Sequence, residues 1–276
     1  MNSISTTKDI FSPKGGGSEL FGLESFQNPR YQGQWGASDE DVFELAHQDL
    51  LTHKQDDPPR LSFVLTGSNH APYQVPPYLR EQFPHLPEHG IEGTFQYADW
   101  ALGNFIKKAR ESEYFNRTVF VILSDHGEPV DPLDQSVKRY HVLFLILAPG
   151  RVPSPRVVSQ IGGQIDVAPT LIHFLQMNVP FHFMGTSLLD SSRSGFAIFR
   201  DPENLWLLTD QGLLKRGLQE HSSLENSAVL YMPPKNGYLQ PESVREEPEV
   251  LNELNDWMES YVRTVFRVFQ RGEHSL

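Results

Sequence analysis

Short apolar runs alternate along this chain with longer segments whose apolar residues recur every three or four positions. Residues 61–66, 118–123 and 142–147 are apolar runs rich in β-branched and aromatic residues, a pattern typical of strands buried on both faces of a parallel sheet. Residues 94–113, between the first two runs, place their apolar positions on one helical face. Strand, long helix and strand in this order predict a βαβ unit.

Two further helices are predicted from the residues at their ends. Ser38 can cap a helix, because Asp41 follows three residues later and acidic residues occupy the first turn, where the helix dipole favours them. We expect this helix to end before the acidic and proline-rich residues 56–59. Pro169 suits the first turn of a second helix, and residues 171–175 supply its apolar face.

The last third of the chain has a different pattern. Apolar segments at 196–199, 205–208 and 213–214 are short and separated by turn residues, which indicates an antiparallel meander. Residues 219–247 are polar and irregular. Residues 250–270 have the periodicity of an amphipathic C-terminal helix.

The predicted fold class is therefore α/β, with a central, mostly parallel sheet flanked by helices, then a small antiparallel meander and a terminal helix. We expect three parts: a polar, irregular segment at 1–34, an α/β core at 35–190, and a C-terminal antiparallel subdomain with its helix at 191–276. Trp35 and Trp100 are expected in the core.

Composition narrows the classes of function. The net charge of −12 argues against a surface for nucleic acid or anionic membranes, so a site for an anionic substrate needs a local cation. The chain has no cysteine, which leaves its 11 histidines and its carboxylates as metal ligands. Its longest apolar run in the strand regions, residues 142–148, is far shorter than the roughly 20 residues of a transmembrane helix. No signal or anchor is predicted.

The strongest candidate chemistry follows the run at 118–123. Asp125 and His126 come where this predicted strand ends, and Gly127 allows a turn or the close approach of a ligand. Ligands of open α/β sheets bind beyond the carboxyl ends of the strands. A carboxylate and an imidazole together suit a zinc- or manganese-type cation. The alternative is a loop carboxylate that orients a surface imidazole.

Two other histidines lie near predicted strand ends. His70 follows the run at 61–66 after a turn of small residues. His141 precedes the run at 142–147, so it reaches the same site only if the preceding loop folds back over the sheet edge.

Six motifs in a fixed order resemble a known family. They are WGASDEDVF, FVLTGSNHAPY, YADWALGNFI, SDHGE, YHVLFLILAPG and QIDVAPTL. This set resembles the sulfatase-type branch of the alkaline phosphatase superfamily, most of all the C-terminal part of lipoteichoic acid synthase-like phosphoglycerol transferases, with phosphoethanolamine transferases next. The resemblance covers about residues 20–190.

The resemblance implies roles for the matched residues. Asp125 and His126 match the family's metal ligands, for manganese or zinc, with magnesium or calcium as alternatives. His70 matches a substrate-binding histidine that could also act in catalysis by protonating the leaving group. His141 matches a histidine that binds a second ion or a substrate oxygen. Asp166, with the helix start that follows it, matches a segment expected to cap and pack.

The reaction implied is metal-dependent phosphoryl (phosphodiester) transfer or hydrolysis, or sulfuric ester hydrolysis, on the periplasmic or extracellular side of a membrane. The family's first acidic ligand and its nucleophile are not found, because Thr6 and Thr7 have no buried strand before them. We therefore expect the chain to be part of a longer enzyme, or to be inactive as it stands. The alternatives are a non-catalytic, degenerate binding module and a chain whose partner supplies the missing N-terminal part.

Overall fold

The structure is a computed structural model that describes residues 21–55, 57–83, 85, 87, 90–127, 137–180, 183–218, 228–234 and 244–271. The chain forms two compact units. The first comprises Met1–Phe120 and Leu147–Pro153, and the second comprises Val121–Ile146 and Ser154–Leu276. Most of the predicted irregular segment, with Thr6 and Thr7, lies outside the described residues.

The first unit is built on two helices that pack against each other, α1 (Asp39–Thr52) and α2 (Ile91–Arg110). Ser38 caps α1 as predicted: its Oγ accepts a hydrogen bond from the amide of Asp41 at 3.3 Å. α2 begins and ends three residues earlier than predicted. It starts after Gly90, whose φ of 116° is a conformation that favours glycine.

Two apolar clusters make the core of this unit. Val75, Leu79, Tyr97 and Ala101 form the first, and Phe105, Ala109, Tyr114 and Phe120 form the second. Phe43 of α1 packs against both clusters, so the amphipathic face of α2 is buried as its periodicity predicted. Before α1, the short strands β1 (Gln32–Gly33) and β2 (Gly36–Ala37) form an antiparallel hairpin.

The strand predicted at 61–66 is wrong. These residues form no regular element, and Leu61 and Leu65 are 76% and 72% exposed. An apolar run becomes a buried strand only where neighbouring strands pair with it and layers cover its faces, and no described strand pairs with this segment. The βαβ unit therefore does not form, and a central parallel sheet is not confirmed.

The other two predicted runs do become strands, β3 (Phe120–Leu123) and β4 (Phe144–Leu147), which form a two-stranded sheet. Both are shorter than predicted. Val121 and Leu145 are exposed, so the expectation that these strands are buried on both faces is wrong for the described part of the chain.

In the second unit, a short 3-10 helix (Gln164–Asp166) leads into α3 (Val167–Leu175). Asp166 is buried, and its carboxylate accepts hydrogen bonds from the amides of Gly163 at 2.8 Å and Thr186 at 2.7 Å. Thr170 accepts one from the amide of Leu188 at 2.9 Å. These residues cap and pack, as expected.

The C-terminal part is a four-stranded antiparallel sheet, which confirms the predicted meander. Its strands are β5 (Ala197–Arg200), β6 (Asn204–Leu208), β7 (Leu213–Gly217) and β8 (Ala228–Tyr231), in that order. The prediction missed β8, because only the five apolar residues 228–232 interrupt a polar stretch there.

The helix α4 (Pro248–Arg271) covers this sheet and confirms the predicted C-terminal helix. Leu254 and Met258 of α4 pack with Leu207, Leu214 and Leu230 of the strands in one buried cluster. No helix in the described ranges combines the length and hydropathy needed to cross a membrane. The expected division at residues 34 and 190 remains a prediction.

The buried carboxylate of Asp166 gives a test of this packing. We expect Asp166→Ala to lower the free energy of unfolding by about 3 kcal/mol, because two backbone amides lose a charged acceptor. Urea denaturation measures the change. Asp256→Ala, at an exposed position of α4, is the control and should leave the value nearly unchanged. Equal values for the two variants would contradict this account.

Candidate functional site

The turn after β3 carries Asp125 and His126 and is held against the segment before β4. The amide of Ser124 donates to the carbonyl of Leu143 at 3.2 Å. A Cβ on Gly127 would lie 2.0 Å from the carbonyl oxygen of Arg139, so only glycine fits there. The lack of a side chain at Gly127 thus allows the close approach of the Arg139 backbone, which belongs to the same unit.

The ring nitrogens of His126 have distinct roles. Nδ1 lies 3.0 Å from the carbonyl oxygen of Gly127. Because a carbonyl only accepts, Nδ1 carries the hydrogen of the neutral ring and Nε2 carries the lone pair. Nε2 is 3.7 Å from Oδ2 of Asp125. Two ligands about 2.1 Å from one tetrahedral ion would lie about 3.4 Å apart, so this pair needs little movement to share a cation.

Asp125 and His126 therefore fit two positions of a divalent metal site. Both side chains are largely exposed, at 80% and 68%. His141 is also exposed and follows a 3-10 helix (Val137–Tyr140) in the segment that Gly127 packs against. Within the described ranges, no group of three His, Asp or Glu side chains is placed to hold an ion, so His141 does not complete the pair.

Gln164 is a residue at this turn that the sequence analysis missed. Its Nε2 donates to the carbonyl oxygens of Ser124 at 3.0 Å and Asp125 at 2.5 Å. An amide nitrogen has two hydrogens, and here each has an acceptor. The residue lies in the QIDVAPTL motif, but nothing in its spacing indicates a bond to a turn some 40 residues earlier.

His70 lies in the first unit, on a turn closed by a hydrogen bond from the amide of Tyr73 to the carbonyl of His70 at 2.9 Å. Trp35 lies against it: the indole and imidazole centroids are 3.7 Å apart. Trp35 is 45% exposed, so the expectation that it is a core residue is wrong. A shallow pocket surrounds the two rings, and its polar lining includes Ser38, Ser68 and Gln74.

Asp39, the first residue of α1, holds the start of the same turn. Its Oδ1 accepts hydrogen bonds from the amides of Gly67 and Ser68, both at 3.1 Å. The side chain is fully buried, and burial raises the pKa of Asp39, an effect that hydrogen bonds from Ser68 and Gly67 partly offset. Its Oδ2 has no hydrogen-bond partner among the described residues.

The structure thus brings the predicted residues together in two groups, each on its own unit. Asp125 and His126 share one turn, with His141 in the neighbouring segment. His70 lies on a separate turn with Trp35 and Asp39 behind it. The sequence indicated the histidines, and for Asp125 and His126 also the strand end, whereas Trp35, Asp39 and Gln164 gave no signal of their contacts.

Comparison with known proteins identifies relatives of this chain. Residues 4–177 match the sequence profile of the sulfatase family. A lipoteichoic acid synthase-like protein, YvgJ of Bacillus subtilis, is 26% identical over 217 residues, which cover 70% of this chain and 34% of YvgJ. Phosphoglycerol transferase I of Xanthomonas campestris is 26% identical over 165 residues, and arylsulfatase K of Bos taurus is 30% identical over 131 residues.

A solved structure has the same fold. It is a protein of the alkaline phosphatase superfamily from Vibrio parahaemolyticus, with a TM-score of 0.77 and 25% identity. The match covers 92% of this chain and 60% of that protein. The predicted family resemblance is confirmed. The chain spans about a third of the length of YvgJ (34%) and about a quarter of that of the phosphoglycerol transferase (24%).

The buried carboxyl of Asp39 predicts a pH dependence of stability. Its raised pKa means that the folded chain binds a proton which the unfolded chain releases near pH 3.8. Stability should therefore fall as pH rises through the folded pKa, by about 1.4 kcal/mol for each unit of the shift. Asp39→Asn has no such proton, so wild type should lose stability relative to this variant as pH rises from 3.8.

Urea denaturation at a series of pH values measures this difference. Asp99→Asn, at an exposed position of α2, is the control and should follow the wild-type curve. Parallel curves for wild type and Asp39→Asn would contradict the expected effect of burial.

Proposed function

This chain belongs to the sulfatase family, and from that premise we propose that it takes part in metal-dependent transfer or hydrolysis of phosphate or sulfate esters. We rank phosphodiester transfer first. In support, the lipoteichoic acid synthase-like and phosphoglycerol transferase relatives match 217 and 165 residues, whereas the arylsulfatase matches 131. The proposed substrate is a phosphodiester, and the proposed location is the periplasmic or extracellular side of a membrane.

The observation that carries this proposal is the geometry of Asp125 and His126. The hydrogen on Nδ1 of His126 is directed to a carbonyl, so the Nε2 lone pair lies 3.7 Å from a carboxylate oxygen. A hydrogen bond from the second ring nitrogen to a backbone carbonyl is common in metal-ligating histidines. The 3.7 Å separation is also close to that of two ligands on one tetrahedral ion.

In the proposed site, Asp125 and His126 hold a divalent cation, manganese or zinc first and magnesium or calcium as alternatives. Bound there, the cation would neutralise charge on the transferring group. Gln164 keeps the backbone of the two ligands in place through its hydrogen bonds to Ser124 and Asp125. Further ligands and the nucleophile are not assigned to any residue in the described part of the chain.

His70 is the proposed contact to the substrate. Its Nδ1 lies 3.2 Å from the carbonyl oxygen of Ala71, so Nδ1 carries a hydrogen and Nε2 is the nitrogen left for a ligand. With the ring protonated, Nε2 can donate to an ester oxygen or pass a proton to the leaving group. His141 is exposed and follows the segment that packs against the turn with Asp125 and His126. It is proposed to bind a substrate oxygen.

A non-catalytic binding module is the second candidate. It is favoured by one observation: among the described side chains, no third His, Asp or Glu joins Asp125 and His126. Two ligands alone make a weak metal site. Such a module would bind a phosphate or sulfate ester through His70 without turning it over.

Turnover of an aryl phosphodiester, bis(4-nitrophenyl) phosphate, in the presence of Mn²⁺ separates the two candidates. We expect measurable release of nitrophenol, its loss on chelation of the metal, and a drop of at least about 100-fold in kcat/KM for Asp125→Ala. His85→Ala, a histidine beside Phe83, is the control and should retain wild-type activity.

The contrary outcomes are distinct. Unchanged activity in Asp125→Ala would contradict the assigned metal site. Binding of Mn²⁺ and phosphate without any turnover would favour the binding module over the enzyme.

Affinity for Mn²⁺ tests the role of Gln164. Gln164→Leu removes both donors to the turn, so we expect the Kd for Mn²⁺ to rise about 10-fold by calorimetry. The matched control is Gln160→Leu, which removes a similar amide bond at 3.0 Å to the carbonyl of Arg193. An equal Kd in the two variants would show that Gln164 does not order the ligands.

A further inference from the structure

We propose that Trp35 and Asp39 are positioning residues that fix the orientation of His70 for contact with a charged ester oxygen. The inference rests on the proposed function, because it assigns His70 to the substrate. It adds two residues from the hairpin and the start of α1, which precede His70 by some 30 residues.

The first observation is a carbonyl that two rings share. The oxygen of Ala71 accepts a hydrogen bond from Nε1 of Trp35 at 2.7 Å and lies 3.2 Å from Nδ1 of His70. A carbonyl oxygen has two lone pairs and can satisfy both donors. The indole N–H group of Trp35 therefore bonds to the same carbonyl oxygen that accepts from Nδ1 of His70. This oxygen determines which ring nitrogen of a neutral His70 carries the hydrogen.

The second observation is the ring contact. The centroids of Trp35 and His70 lie 3.7 Å apart with an interplanar angle of 44°. One face of the imidazole is thereby covered, which limits its rotation about the side-chain bonds. Trp35 thus restricts His70 both by its ring and by its N–H group.

The third observation is the anchoring of the turn at its start. Oδ1 of Asp39 accepts the amides of Gly67 and Ser68, both at 3.1 Å. A Cβ on Gly67 would lie 3.3 Å from Cβ of Trp35, so the turn also packs closely on the indole side chain. Asp39 is fully buried and begins α1, so the turn is tied to a rigid helix.

These contacts have a chemical consequence. His70 is exposed, and an exposed imidazole on a mobile turn must lose rotational freedom when it binds an anion. Here the ring plane is set in advance and the Nδ1–H group is bonded to the Ala71 carbonyl, so the protonated ring presents its Nε2–H donor without that loss. Preorganisation of this kind raises affinity without adding a contact to the ligand.

Binding of inorganic phosphate, measured by calorimetry with Mn²⁺ present, tests the inference. We expect wild type to bind, and His70→Ala to lose this binding. Trp35→Phe keeps an aromatic ring and removes the N–H donor, so its Kd should rise about 3- to 10-fold. Trp100→Phe, at a half-buried position of α2, is the control and should keep the wild-type Kd.

Asp39 is tested by a pair of variants. Asp39→Ala removes the acceptor of both amides and should weaken phosphate binding by about 10-fold. Asp39→Asn retains an acceptor oxygen and should restore the Kd to within about twofold of wild type. A thermal melt of each variant confirms folding before binding is measured. If Asp39→Ala does not fold, Trp35→Phe decides the question.

A second measurement is independent of phosphate. The ¹⁵N chemical shifts of the His70 ring distinguish its two neutral tautomers. We expect the Nδ1–H tautomer to predominate in wild type and Trp100→Phe, and a mixture of both tautomers in Trp35→Phe. A merely structural role for Trp35 would lower the melting temperature and leave the tautomer unchanged.

The outcomes separate the inference from the proposed function. Wild-type affinity together with the wild-type tautomer in Trp35→Phe would overturn the inference and leave the role of His70 intact. If wild type binds no phosphate, the proposed role of His70 fails, and the ¹⁵N shifts alone decide whether Trp35 orients the ring.

Discussion

The two candidate turns depend on side chains that hydrogen-bond to the backbone of a distant segment. Asp39 accepts two amides of the turn before His70, and Gln164 donates to two carbonyls of the turn that carries Asp125. Asp166 likewise accepts hydrogen bonds from the backbone amides of Gly163 and Thr186. A loop backbone loses water on one side when it packs, so its polar groups need such partners. Asp39 and Gln164 thereby hold the turns that carry His70 and Asp125.

The two turns differ in what they present. On the second unit, a carboxylate and an imidazole expose acceptor atoms, which suits a cation. On the first unit, His70 lies on an indole beside a shared carbonyl, an arrangement that suits an anion once the ring is protonated. In a chain with a net charge of −12, a site for an anionic ester needs a local positive charge.

Prediction from the sequence succeeded where a local pattern determines the outcome. The cap at Ser38 and the periodicity of α2 and α4 were predicted correctly because each depends on residues within a few turns of helix. The meander was predicted from its spacing of short runs and turns. The segment at 61–66 was mispredicted because an apolar run specifies a strand only if another strand pairs with it.

By itself, the sequence determined the family and the candidate site residues, since the motifs with Asp125, His126 and His70 are local strings read in order. Only the tertiary structure decided how these side chains are oriented. The bond from Gln164 to Asp125 joins residues 39 positions apart, and the bond from Trp35 to Ala71 joins residues 36 apart. Pairings at such separations leave no periodicity in the chain, because they depend on how whole elements pack.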